Sequence, residues 1–257
     1  MADREVDWPG YLADFHARRT GVVEDVLSQA LRADHSPYRW LARAVSADAT
    51  VVLDLASGSG PVGRELVRAG RTVVGLDLSA HELGLARRRG AGPLVRADAR
   101  VLPFRDGSVD VVTSALGLVV VQPLTTVLAE VVRVLRPGGV LAAIAPAVRP
   151  LAPADVRQLG QLNARLRARP RFPGPVERGG FRAALQEQGL TVVEDKRERY
   201  RYRITTSDDA ALLLSALYLP HTPPARVAAA LDYLSETAER RGSVDVAIPV
   251  RRLVAIK

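Results

Sequence analysis

Val51-Val52-Leu53-Asp54-Leu55-Ala56-Ser57-Gly58-Ser59-Gly60 is the stretch that decides the fold. Thr50–Leu55 is a short β-branched and apolar run broken only by Asp54, and it reads as a buried strand. Gly58 and Gly60 make a turn, and Pro61 suits the first position of a helix ending near Gly70. Glycine lets the main chain approach a ligand closely, so the loop is a binding element in waiting. Gly58-Ser59-Gly60-Pro61-Val62-Gly63 also fits the glycine pattern of dinucleotide sites, whose helix N-terminus receives a pyrophosphate. Asp54 argues against that ligand. A carboxylate directly before the loop repels pyrophosphate and favours ammonium or sulfonium charge.

Outward from the loop, strands and helices alternate. Thr72–Leu76 reads as a second strand, Leu94–Arg96 as a third, Val109–Ser114 as a fourth and Val140–Ala145 as a fifth. Ser79-Ala80-His81-Glu82 fits a capping box opening the helix that stops at Gly90. Leu124–Leu135 is amphipathic, and Pro137-Gly138-Gly139 is read as its end. This alternation predicts parallel βαβ units, with ligands bound at the carboxyl ends of the strands. Asp77 ends strand two, where a carboxylate can accept both hydroxyls of a ribose. Asp98 follows strand three and can accept from an adenine amino group, with the Ala99 N–H reaching a ring nitrogen.

Four segments in this order, Val51–Gly60, Val73–Ser79, Ala97–Phe104 with Asp106–Ser114, and Leu128–Leu141, resemble the class I S-adenosylmethionine-dependent methyltransferases. The likeness is greatest to the small-molecule group that includes the ubiquinone and menaquinone C-methyltransferases. It implies a Rossmann-like, doubly wound α/β fold with a mostly parallel seven-stranded sheet and a reversed last strand. Leu190–Ile204 and Val244–Ile256 could complete that sheet. It also implies S-adenosylmethionine as cofactor, with Asp54 and Gly58 at the methionine end, Asp77 at the ribose, and Asp98 and Ala99 at the adenine. Ala56, Gly60, Leu78 and Ser114 join them in the expected cofactor set.

The flanks match the family only loosely, so the acceptor is expected to be chosen there. Residues 1–46 are expected to form an N-terminal helical lid on a methyltransferase domain of residues 47–257, with 146–180 and 205–242 as substrate-covering inserts. Tyr11, Phe15, Tyr38, Leu116, Val119 and Tyr218 are the substrate candidates. His16 and His221 are the candidates for a base, the role histidine fills near neutral pH.

The chain has 257 residues, no Cys and four His, which excludes disulfides and gives no metal site. No apolar stretch approaches the ~20 residues of a membrane span, and a cytoplasmic protein is expected. The net charge of +8 gathers in residues 149–203, where 13 Arg or Lys face 6 Asp or Glu. Of the 36 basic residues 34 are Arg, a coding bias that needs no nucleic acid to explain it. Arg197, Arg199, Arg201 and Arg203 share one strand face, read here as a charged edge resisting aggregation. The expectation is methyl transfer to a small organic acceptor, lipid-like or a secondary metabolite, and not to nucleic acid. The alternatives are an RNA methyltransferase and a non-catalytic S-adenosylmethionine-binding scaffold. Oligomeric state is not legible in the sequence.

Overall fold

The computed structural model describes residues 5–174 and 180–257. Three helices open the chain: α1 (Trp8–Arg18), α2 (Val22–Gln29) and α3 (Pro37–Ala42). The alternating region follows as β1 (Val51–Leu55), α4 (Pro61–Leu66), β2 (Thr72–Asp77), α5 (Ala80–Arg88), β3 (Leu94–Arg96) and β4 (Val109–Ala115). After α6 (Gly117–Val120) and α7 (Leu124–Val134) come β5 (Leu135–Pro146), α8 (Pro153–Leu166) and α9 (Gly180–Glu187). The chain closes with β6 (Thr191–Ile204), α10 (Ser207–Ser215), α11 (Pro224–Arg241) and β7 (Val244–Ile256).

The seven strands form one sheet in the order β3-β2-β1-β4-β5-β7-β6. β7 runs antiparallel to both β5 and β6, while the strands from β1 to β5 pair in parallel. The expected doubly wound sheet with its reversed last strand is therefore present. Side-chain alternation divides the core between the two faces. Val52, Val111 and Ile144 pack with Trp40, Leu41, Tyr200 and Tyr202 on one face. Leu53, Leu55, Leu141 and Ala143 pack with α7 and α9 on the other. Leu124, Val127, Leu128, Val131 and Val134 form the buried stripe of α7 at helical spacing. Burying such a side chain contributes about 1.5–3 kcal/mol.

One expectation needs correction. Pro137-Gly138-Gly139 does not separate helix from strand. β5 already begins at Leu135, paired with Val109, and the glycines bond to the far end of β7 through Gly138 N–H to Lys257 and Lys257 N–H to Gly139. Of residues 146–180, helix α8 packs against α11 and β7, and among the described residues of that span Phe172 and Pro173 approach the cleft described below. The part of that span at 175–179 lies outside the described residues.

Candidate active site

β1 and β2 end side by side, and their ends form the floor of a cleft of about 610 Å³. Asp77, the last residue of β2, holds that floor together. Its Oδ2 accepts from the Gly58 N–H at 2.8 Å and its Oδ1 from the Ser79 N–H at 2.8 Å. Burial raises the Asp77 carboxyl above its ordinary range, and the two N–H groups oppose the rise. Of the residues that the sequence assigns to the cofactor, Ala56, Gly58, Asp77, Leu78, Asp98 and Ala99 line this cleft. Asp98 is engaged from within the chain: Arg100 donates to it through its backbone N–H at 2.9 Å and through its guanidinium at 2.6 Å. That guanidinium, more than any other cause, holds the Asp98 carboxyl below the usual range.

The other three expected cofactor residues stand elsewhere. Asp54 lies behind the glycine loop, against a smaller cavity of about 250 Å³ shared with Ser57, Gly60 and Gly75. Thr113 donates to its Oδ1 at 2.8 Å, and its Oδ2 has no full hydrogen bond among the described residues. Burial pushes the Asp54 carboxyl up to about 7, against the Thr113 hydrogen bond. Gly60, at φ +82°, caps α4 from the left-handed region. Ser114 is fully buried and donates to the Leu55 carbonyl at 3.0 Å, tying β4 to β1.

On the acceptor side, His16, Tyr38, Leu116 and Tyr218 line the cleft. Tyr11, Phe15 and Val119 stand one layer back. The Tyr11 hydroxyl accepts from the Leu219 N–H at 2.9 Å, and Phe15 meets Tyr218 edge to face at 4.7 Å. Val119 is buried in the core, its carbonyl accepting from Gly174 at 2.8 Å. His221 is exposed, does not line the cleft, and is not placed to act as a base there. Ala56 and Leu116 adopt φ of +52° and +66°, left-handed conformations that strain a residue with a side chain. Both face the cleft, and Gly117 presses close behind them. A Cβ on Gly117 would come within 2.6 Å of both the Ala56 Cβ and the Ser114 Oγ.

Two buried acids were not anticipated from sequence. Glu24 takes Ser59 and Arg64 as donors and pairs with Arg89 at 2.8 Å, bracing the glycine loop from α2. Glu82 accepts from His16 Nδ1 at 2.9 Å and from the Gly21 N–H at 3.2 Å. Ser79 does cap α5 by accepting from the Glu82 N–H, but the Glu82 side chain turns to His16 instead of closing the box. Among the described lining residues, Glu24 is paired with Arg89 and Asp98 with Arg100, which leaves the carboxylates of Asp77 and Glu82 beside one further guanidinium, Arg96. A cleft of that balance accommodates a cation and disfavours a pyrophosphate.

Comparison with known proteins agrees with this geometry. Residues 53–143 match the family described as "Methyltransferase domain". The demethylmenaquinone methyltransferase of Streptomyces avermitilis is 39% identical over 125 residues, covering 48% of this chain and 53% of that protein. Its counterpart in Beutenbergia cavernae is 40% identical over 139 residues, covering 53% and 57%. The chain thus spans little more than half the length of these curated relatives. Among solved structures, geranyl diphosphate methyltransferase in complex with GPP and sinefungin aligns with a TM-score of 0.57 at 16% identity, covering 97% of this chain and 98% of that one. The [4+2]-cyclase SpnF aligns with a TM-score of 0.61 at 18% identity, covering 97% and 95%. Residues 53–143 are thus similar to a methyltransferase domain, and the described chain shares the fold of these solved structures.

Proposed function

We propose that this chain, with a core related to class I methyltransferases, transfers a methyl group from S-adenosylmethionine to a small organic acceptor, lipid-like or a secondary metabolite, as a cytoplasmic biosynthetic enzyme. The same fold carries a cyclase, so the reading rests on the site and not on the fold. The observation that carries it is the single acidic wall on which the glycine loop, Asp77 and Asp98 lie together.

Those residues fit the cofactor. The Asp77 carboxylate has lone pairs left for ribose hydroxyls after holding Gly58 and Ser79. Asp98 and the Ala99 N–H stand at the adenine end, and Ala56 and Gly58 at the methionine end. Asp54 acts from behind, buried and accepting from Thr113, so that it ties the end of β1 to β4 beneath the loop. When bound, S-adenosylmethionine supplies a methyl group activated by its sulfonium. The chain's own task is to orient the acceptor and exclude water, through which much of the acceleration can arise. The helix α1, with Trp8, Leu12 and His16 on the cleft, serves as the lid, and Tyr38, Leu116 and Tyr218 form the acceptor wall.

Isothermal titration with S-adenosylhomocysteine and with NAD tests the cofactor class. Binding of the first with negligible binding of the second is expected, and the reverse preference would refute the proposal. The RNA alternative draws no support from the arginine stripe. Arg199 is paired with Asp155 at 2.7 Å and Arg203 with Asp245 at 3.0 Å.

A further inference from the structure

Three side chains from distant parts of the chain meet at the acceptor side of the cleft. Glu82 is buried, with 4% of its surface exposed. Its Oε1 takes the Gly21 N–H at 3.2 Å and His16 Nδ1 at 2.9 Å. A carboxylate oxygen in that position is an acceptor, so His16 carries its proton on Nδ1 and donates it. Nε2 is then the accepting nitrogen, and the Tyr218 hydroxyl donates to it at 3.0 Å. Both His16 and Tyr218 line the cleft. The Tyr218 ring is gripped edge-on by Tyr11 at 6.1 Å, Phe15 at 4.7 Å and Phe172 at 5.6 Å, which leaves little freedom to its oxygen.

We infer that Glu82, His16 and Tyr218 form a proton relay that accepts the proton of a weakly acidic hydroxyl on the methyl acceptor, such as a phenol or enol. The inference rests on the methyl-transfer reading. As the acceptor forms its bond to the methyl carbon and the sulfur–methyl bond breaks, the acceptor O–H proton passes to the Tyr218 oxygen. The proton of Tyr218 passes to His16 Nε2. The positive charge lost at sulfur reappears as an imidazolium facing the Glu82 carboxylate. Tyr218 is the group that touches the acceptor, and Glu82 is a positioning residue that fixes the tautomer and ring of His16. The order of donors resembles the arrangement by which a buried acid orients a histidine beside a hydroxyl nucleophile. The other ionisable groups facing this trio are Asp77 from β2, Tyr11 from α1, and Glu24 and Tyr38 across the cleft. Burial first, then the charges of Glu82 and Asp77, push the Tyr218 hydroxyl above its ordinary range and keep it protonated. The phenol therefore acts by passing a proton on to His16, not as a free phenolate. Burial within an apolar wall makes a passive pocket raise the ionisation midpoint of a bound phenol; a relay lowers it.

The test uses 4-nitrophenol, whose visible phenolate band reports its own ionisation, bound to the protein saturated with S-adenosylhomocysteine. The bound phenol is expected to ionise at lower pH than the free one. His16→Gln and Glu82→Gln should raise that midpoint by about one pH unit or more, a tenfold change in phenolate at fixed pH. Tyr218→Phe, which keeps the ring packing and so guards against an unfolded variant, should do the same, and Glu82→Asp should restore part of the shift lost in Glu82→Gln. Failure of nitrophenol to bind, or a midpoint indifferent to Tyr218→Phe, overturns the relay while leaving the methyl-transfer reading in place. Failure of S-adenosylhomocysteine to bind overturns that reading itself.

Discussion

The Asp77 carboxylate accepts the Gly58 N–H at 2.8 Å, so the end of β2 sets the position of the loop that follows β1. Its other oxygen holds Ser79. Asp77→Asn leaves one oxygen for two N–H groups and removes the charge. Hydrogen bonds to charged groups contribute about 1.5–3 kcal/mol, so affinity for S-adenosylhomocysteine should fall roughly tenfold to a hundredfold. Titration calorimetry on the folded variant measures this, and wild-type affinity would refute the role.

Asp54 makes stability depend on pH. Its carboxyl stands at about 7 in the fold against 3.8 as a free group, because burial disfavours the charge. Below pH 4 both states are protonated and nothing is lost. As pH rises from 4 to 7 the unfolded chain ionises first, so stability falls through that window and levels off above it. Three pH units correspond to on the order of 4 kcal/mol. Asp54→Asn keeps an oxygen for the Thr113 hydroxyl and cannot ionise. Urea unfolding at pH 5 and pH 8 should show a smaller decline in the variant than in the wild type; equal declines would show that Asp54 is charged in the native state.

Ala56 and Gly117 have the wrong and the right amount of side chain for where they sit. Ala56→Gly removes the left-handed strain at φ +52° and should stabilise the fold by about 1 kcal/mol, seen as a higher melting temperature. Gly117→Ala forces a Cβ to within 2.6 Å of Ala56 and Ser114. It should destabilise by about 1–3 kcal/mol and weaken cofactor binding through the displaced loop. A Gly117→Ala protein as stable as wild type would show that α6 can retreat from the loop.

The arginines of β6 differ among themselves despite their shared face. Arg199 neutralises Asp155, which is only 5% exposed, whereas Arg201 is exposed at the strand edge. Arg199→Glu should lower stability by about 3 kcal/mol or more, since it strands one buried acid beside another. Arg201→Glu should change it by no more than about 0.5 kcal/mol. Denaturant titration of the two variants separates them, and equal effects would contradict the pairing.

The elements β1 to β4 were legible because each is a short apolar run punctuated by glycine or by an acid at its end. The start of β5 was not. Arg136-Pro137-Gly138-Gly139 has the local chemistry of a break, yet its backbone groups are recruited by Lys257, 118 positions beyond Gly139, a long-range pairing that local composition does not contain. That Gly58, Asp77 and Asp98 would gather at one cleft was readable, since strand ends converge by topology. The Asp54 side chain faces the smaller cavity behind the loop, a placement decided by strand alternation carried through the turn. Glu82 looked like an ordinary capping residue; only the arrival of α1 from 66 positions earlier gives its carboxylate a histidine. Its partner Tyr218 and the candidate His221 were indistinguishable in sequence, and a separation of three positions decides which one faces the cleft.

The interior place of β7 imposes an order of events on synthesis. A ribosome delivers β6 before β7, yet β6 has no direct pairing with β5 and must wait for residues 244–256 to be inserted between them. Until then the nascent chain holds a five-stranded half-sheet whose β5 edge, Val140 to Ala145, is apolar and unpaired. An edge of that kind recruits foreign strands. Pauses in translation upstream of Val244 should therefore favour aggregation of the nascent protein, whereas pauses before β5 should be harmless.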